Sequence, residues 1–264
     1  MLPCPLRASR HELELYCRRA AAAIAYGRHP ILCRILGNWP FLVDNRDPDI
    51  APHLLLDGYW EAWVTLALAR AAYPGTVCID VGAAYGYYTI LFAAATGSSG
   101  TTLAVEPNPA FVRYLTANRR LTGLNYQIHQ TALADSDSPA APFSTNLPHG
   151  GARLTTTKTR LAVPVTTLDH LTHDLPRCDL VKVDVEAAEL AVWRGATQLR
   201  KRHNPTWLIE LHTLADNSAA LTLLEEAAGA GYPLRTLNAD GDLETHSAAE
   251  IASMRNPHLW LSTS

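Results

Sequence analysis

The 264-residue chain predicts an α/β fold: a mostly parallel sheet, doubly wound with helices on both faces, behind a helical front segment. Three observations predict it. From residue 76 onward, short apolar runs alternate with longer amphipathic segments. The first of these runs ends in Asp80-Val81-Gly82-Ala83-Ala84-Tyr85-Gly86, an acid and a small-residue turn leading straight into a helix. The hydrophobic share is 48%, enough for a substantial core, and no apolar stretch is long enough to span a membrane.

Taken in order, residues 10–28 read as a helix with Leu13, Cys17, Ala20 and Ile24 on one face. A Pro- and Asp-rich connector covers 39–49. Residues 52–73 read as a second helix carrying Trp60, Trp63, Leu66 and Leu68, closed by Pro74-Gly75. Residues 1–73 are thus expected to form a helical cap, and 74–264 the sheet domain. In that domain 76–80 is a buried strand, 86–96 a helix, 97–100 a turn, 101–106 a strand, 109–121 a helix and 126–131 a strand. Gly150-Gly151 and two short strand-like pieces, 152–157 and 161–165, predict an inserted loop or hairpin at about 142–165. The rhythm resumes with a strand at 180–184, a helix at 186–202, a strand at 206–212 and a helix at 217–230. Residues 232–237 and 258–261 read as a closing antiparallel pair.

Composition narrows the function. Lys and Arg number 22 against 25 Asp and Glu, for a net charge of −3, which disfavours a protein that grips nucleic acid. The five Cys are scattered and never spaced as CxxC, which argues against a disulfide framework or a zinc knuckle and for a reducing, cytoplasmic setting.

In open parallel sheets ligands sit beyond the carboxyl ends of the strands. The first strand ends in the small-residue turn, and the second ends in Glu106, an acid placed to accept from ribose hydroxyls. The two together ask for a nucleoside-bearing cofactor. The turn lacks the G-x-G-x-x-G spacing of a dinucleotide site. Its acid-x-Gly-x-small-x-Gly pattern fits S-adenosylmethionine better, since Asp80 opposes a nearby pyrophosphate and suits a cationic methionine moiety.

Five ordered segments carry a resemblance: 79–88 (IDVGAAYGYY), 105–109 (VEPNP), 167–169 (TLD), 181–189 (VKVDVEAAE) and 209–212 (IELH). Over about residues 53–264 the chain resembles the FkbM-type family of S-adenosylmethionine-dependent methyltransferases. It departs from the usual family pattern at Ala84, where Asn is usual, and at Ala187, where Gly is usual. The resemblance implies a class I (Rossmann-like) methyltransferase fold and S-adenosylmethionine as cofactor. It further implies that Asp80, Gly82, Ala84, Gly86 and Tyr87 shape the methionine and ribose region, with Asp184 beside them. Glu106 with Pro107 would hold the ribose, and Ala132, Leu133 and Asp135 would flank adenine. Tyr59 and Glu61 either close over the cofactor from the cap or serve helix packing.

Methyl transfer is an in-line displacement on a sulfonium, so the protein must align the acceptor and, for a hydroxyl, take its proton. Asp184 and Glu186 follow the fourth strand; Glu210 and His212 follow the fifth and share a face. His212 is the expected general base, because imidazole titrates near working pH. Asp184 would orient the base or the acceptor, beside Glu210. A second reading places Mg²⁺ on Asp184, Glu210 and His212. Asn146, His149 and Arg153 of the insertion would read the acceptor, together with Glu186, for which a solvent-facing place on the first turn of a helix is an equal reading. Glu189 is expected to face solvent at a helix start, Asp169 to cap a helix, and Lys182 to pair with a strand-end acid. The expected activity is O-methylation of a hydroxyl or carboxyl group on a small molecule, a sugar or secondary metabolite. RNA methylation and a noncatalytic scaffold on the same fold are the alternatives. The first fifty residues have two readings, a cap over the pocket or a homodimer surface.

Overall fold

The computed structural model describes residues 2–145, 153–155, 159, 161–212 and 217–263. At the front, helices α1 (Pro5–Ala8) and α2 (Arg10–Ala20) precede strands β1 (Ala23–Ala25), β2 (Pro30–Ile35) and β3 (Trp39–Asp44), which form an antiparallel sheet in that order. The front layer is therefore not purely helical, and the helix expected over 10–28 ends at Ala20. Leu13 and Cys17 do face the core, but Ile24, counted on the same stripe, is 65% exposed and belongs to a strand. Pro40, which suggested a connector, is tolerated because β3 is an edge strand.

The expected helix over 52–73 is two helices, α3 (Ile50–Leu56) and α4 (Ala62–Ala71). It breaks where Gly58 adopts φ +74 and Glu61 φ +38. Gly58 packs so closely that a Cβ there would lie 3.0 Å from the Arg34 carbonyl oxygen.

The central sheet begins with β4 (Val77–Val81), α5 (Tyr87–Thr96), β5 (Thr101–Val105), α6 (Pro109–Thr122) and β6 (Gln127–His129). The insertion is wider than expected. It spans β7 (Ala132–Leu133), β8 (Ser138–Ser144), β9 (Arg153–Leu154) and β10 (Ala162–Thr166), a separate sheet of order β7-β10-β8-β9. After α7 (Leu168–Leu171) come β11 (Leu180–Val183), α8 (Glu189–Arg194), α9 (Thr197–His203), β12 (Thr206–Glu210), α10 (Ser218–Gly229), β13 (Arg235–Leu237), β14 (Leu243–Thr245), α11 (Ala248–Ser253) and β15 (His258–Leu261). The eight-stranded order is β14-β13-β15-β12-β11-β4-β5-β6. The strands from β12 to β6 run parallel, and β15 inserts antiparallel between β12 and β13. Every residue of β4 and β11 is buried, as expected of parallel strands covered on both faces.

The helix expected over 186–202 starts only at Glu189, because Glu186 and Ala187 take φ +56 and +73. One core lies between the sheet, α4, α5 and the front layer; another lies on the opposite face around Trp193 and Trp207. Among the described residues no helix is long and apolar enough to cross a membrane. The order reverses between β4 and β11, since the chain builds outward to β6 and then returns to the other side of β4. That switch point is where such sheets open a crevice.

Candidate active site

A cavity of about 330 Å³ opens at this switch point. Gly82 of the turn after β4 lines it, at φ +77. A Cβ on Gly82 would lie 1.7 Å from the Asp184 carbonyl oxygen, so no other residue fits there. Ala84 follows at φ +46, and its N–H donates to Glu106 Oε2 at 2.9 Å. The Asn108 N–H donates to Glu106 Oε1 at 2.7 Å. Burial pushes the Glu106 carboxyl up to about 7, outweighing the two N–H groups that favour its charge. Pro107, Ala132 and Leu133 continue the wall on this side.

Asp80 does not line the cavity. Its carboxylate is fully buried beneath the turn, accepts from Thr89 Oγ1 and lies 3.8 Å from Lys182 Nζ, its cross-strand register partner. Four other expected cofactor contacts also fall outside. Gly86 begins α5, with Leu115 filling the space a Cβ would need. Tyr87 turns into the core, where its hydroxyl meets Thr65 Oγ1 at 3.1 Å. Tyr59 accepts from Arg18 at 2.7 Å, a packing contact of the front layer. Asp135 is exposed and accepts from the neighbouring Ser136 hydroxyl.

The far side of the cavity gathers the ionisable groups. Asp184, Glu186, Glu210 and His212 all line it, as the strand-end reading expected, and the front layer adds Trp60 and Glu61. The insertion adds Phe143 and Arg153; Asn146 and His149 lie outside the described residues. His212 Nδ1 sits 2.7 Å from Glu189 Oε1. A carboxylate only accepts, so Nδ1 carries the proton and Nε2 is turned to the cavity. There Nε2 faces Glu186 Oε2 at 3.6 Å, Asp184 Oδ1 at 3.8 Å and Glu210 Oε1 at 3.9 Å. Burial opposes a charge on His212, but the Glu189 hydrogen bond and the surrounding carboxylates prevail and raise it to about 9. Glu210 rises to about 7, first through burial and then through Asp184 and Glu61. Asp184 is held below its ordinary value against its burial, chiefly by Lys182, whose Nζ is 3.1 Å away.

Glu189 is therefore not a solvent-facing acid. Its side chain is 8% exposed, and it accepts from the Ala187 N–H as well as from His212. The left-handed pair Glu186-Ala187 delays the helix start and folds Glu189 inward, which helical periodicity does not reveal.

A second cluster adjoins the first. His258 stands opposite Glu210 in the β12–β15 register. Its Nε2 lies 3.3 Å from Glu61 Oε1 and 3.8 Å from Glu210 Oε2. Tyr88 donates to Glu61 Oε2 at 2.7 Å, and Trp63 Nε1 donates to His258 Nδ1 at 3.5 Å. Pairing the closing strand beside the fifth one is the signal that would have found His258. Asp184, Glu210 and His212 are compact enough for a cation, their donor atoms lying within 4.8 Å of one another. Mg²⁺, however, selects oxygen donors over imidazole nitrogen, and the Glu189–His212 pairing suits proton transfer.

The FkbM methyltransferase domain matches residues 80–234. Among solved structures, the chain is similar to a methyltransferase FkbM from Methylobacillus flagellatus KT, at 17% identity and a TM-score of 0.47 over 71% of this chain. The match spans 43% of that protein's chain, less than half its length. The chain is also similar to a precorrin-6y C5,15-methyltransferase from Geobacter metallireducens GS-15, at 15% identity and a TM-score of 0.44 over 76% of this chain and 86% of that one. A further similar structure is fibrillarin from Aeropyrum pernix with natively bound S-adenosyl-L-methionine, at 12% identity and a TM-score of 0.46 over 91% and 96% of the two chains. No curated protein matches the chain.

Proposed function

Because the chain belongs to the FkbM methyltransferase family, we infer that it transfers the methyl group of S-adenosylmethionine to a hydroxyl oxygen of a small, uncharged molecule such as a sugar or another polyol. The observation that carries this reading is one cavity with a backbone cradle on one side and a buried Glu189–His212 pair on the other. The cradle fits the cofactor: Gly82 and Ala84 are small residues lining the cavity, where a ligand can approach the backbone closely, and Glu106 presents acceptor oxygens beside them. Gly82, Ala84 and Glu106 would hold the methionine and ribose portions, and Ala132 and Leu133 the adenine. When bound, the cofactor supplies an activated methyl group on a good leaving group.

The chain's own residues supply the rest. His212 Nε2 takes the hydroxyl proton of the acceptor once it has lost its own, which its rise to about 9 places on the alkaline side of neutrality, while Glu189 fixes the ring orientation. Asp184 and Glu210 accept hydrogen bonds from the acceptor and hold it beside that nitrogen, and Glu186 and Arg153 border the same space. Charge selects the acceptor class. The cavity presents Asp49, Glu61, Glu106, Asp184, Glu186 and Glu210 against Arg153 and His212. A carboxylate or phosphodiester entering this field meets like charge, whereas a neutral hydroxyl finds acceptors and a base. This favours a hydroxyl over a carboxyl group and a small molecule over RNA.

The test is transfer from methyl-tritiated S-adenosylmethionine to a panel of methyl glycosides, simple carboxylic acids and an RNA transcript. Label is expected in glycosides, and His212→Ala is expected to lower the rate by about 100-fold or more while calorimetric affinity for S-adenosylhomocysteine holds. Label confined to the carboxylic acids or the RNA would overturn the reading.

A further inference from the structure

We propose that His258 is a positioning residue of the acceptor site, whose Nε2–H lies between Glu61 of the front layer and Glu210, facing both, and so keeps the Glu210 carboxylate beside His212. This rests on the reading of Glu210 as a group that holds the acceptor.

The argument starts with the ring proton. An indole N–H can only donate, so Trp63 Nε1, pointing at His258 Nδ1, requires a lone pair there and places the ring's proton on Nε2. The carboxylates in front of Nε2 act in the same direction, since they favour a protonated nitrogen facing them. Nε2 is buried between Glu61 Oε1 and Glu210 Oε2, at 3.3 and 3.8 Å, and is aligned in a formed hydrogen bond with neither. One proton is thus offered to two acids.

Glu61, Glu210 and His258 are close enough together to resemble a metal site, with donor atoms within 4.8 Å. A metal on Nε2 would need that nitrogen's lone pair and would send the proton to Nδ1, where the Trp63 N–H already points. The arrangement suits a proton and not an ion.

Glu61 shows what the bridge holds. It is not glycine, yet it sits at φ +38 and ψ 76, a left-handed conformation that turns its side chain toward the strand ends. Tyr88 anchors one carboxylate oxygen and His258 faces the other. Lys182 of β11 and Asp184 just after it border the same cluster. Remove His258, and Glu61 and Glu210 confront each other as like charges. Glu61, Trp63 and His258 all lie outside the family-matched stretch 80–234, while Glu210 lies inside it.

Two measurements test this. Long-range ¹H–¹⁵N spectra of labelled protein saturated with S-adenosylhomocysteine identify His258 as the ring lost in His258→Gln. A proton on Nε2 is expected, and an unprotonated Nε2 overturns the proposal. Turnover on the glycoside panel is the second. His258→Ala is expected to lower kcat by about tenfold with S-adenosylhomocysteine affinity kept, and His258→Gln, which restores a donor at the same place, to recover to within about threefold of wild type. Equal rates in all three proteins, or His258→Gln as slow as a folded His258→Ala, overturn it. If His258→Ala melts before assay, the glutamine variant and the spectra decide. If wild type labels no glycoside, the reading of the acceptor fails, and the spectra still decide the state of His258.

Discussion

Ala84 and Ala187 are the two positions where the sequence departs from its family's usual pattern, and both adopt left-handed backbone, at φ +46 and +73. Asn and Gly, the usual residues there, are the two that tolerate this conformation best. The departures therefore store strain beside the cofactor turn and at the delayed start of α8. Ala187→Gly is expected to raise stability by about 0.5–1 kcal/mol, the roughly 1–2 kcal/mol of left-handed strain less the extra freedom glycine has when unfolded. Thermal melting checks this; an unchanged or lower midpoint would contradict it. Neither strain was legible from residue types alone, because a backbone angle is set by what the flanking strands demand.

Helices and strands differed in how openly the sequence announced them. The strands β4, β5, β11 and β12 are short apolar runs bounded by turns, and their alternation with helices gave the parallel sheet directly. The strands β1 to β3 were hidden, because an apolar run after a true helix extends the helical stripe and Pro40 looks like a breaker. Tertiary contacts make this sheet. Asn118 of α6, wholly buried, accepts from the Leu42 N–H at 2.7 Å and donates to the carbonyls of Leu42 and Tyr85. It covers the open edge of β3 and fastens the front layer to the turn after β4. Asn118→Ala strands a buried N–H and two carbonyls, so a loss of about 2–4 kcal/mol is expected. Urea unfolding should show a lower midpoint with the same slope.

Across the whole molecule, the strand-end acids and His212 were legible because each follows a recognisable strand, whereas Glu189, His258 and Trp60 come from elements whose placement depends on the complete fold. Their convergence also sets the response to pH. His212 titrates near 9 instead of its ordinary 6.5, so its stabilisation is complete below 6.5 and is lost as pH rises through 9. Glu106 and Glu210 titrate near 7 instead of 4.5, so keeping them buried costs stability as pH climbs from 4.5 to 7. All three act in the same direction, and the melting temperature of the cofactor-free protein is expected to fall steadily from pH 5.5 to 9. A midpoint that rises over that interval would show that the cluster does not govern it.

Gly82 leaves no gap between the loop that follows β4 and the loop that follows β11, since its missing side chain is replaced by the Asp184 carbonyl. On the proposed reading, the donor half and the recipient half of the cleft share this seam of close-packed main chain. Sliding one rim past the other would prise that seam apart, so in the proposed reaction the distance the methyl group crosses would be gauged by the scaffold itself rather than by movable side chains.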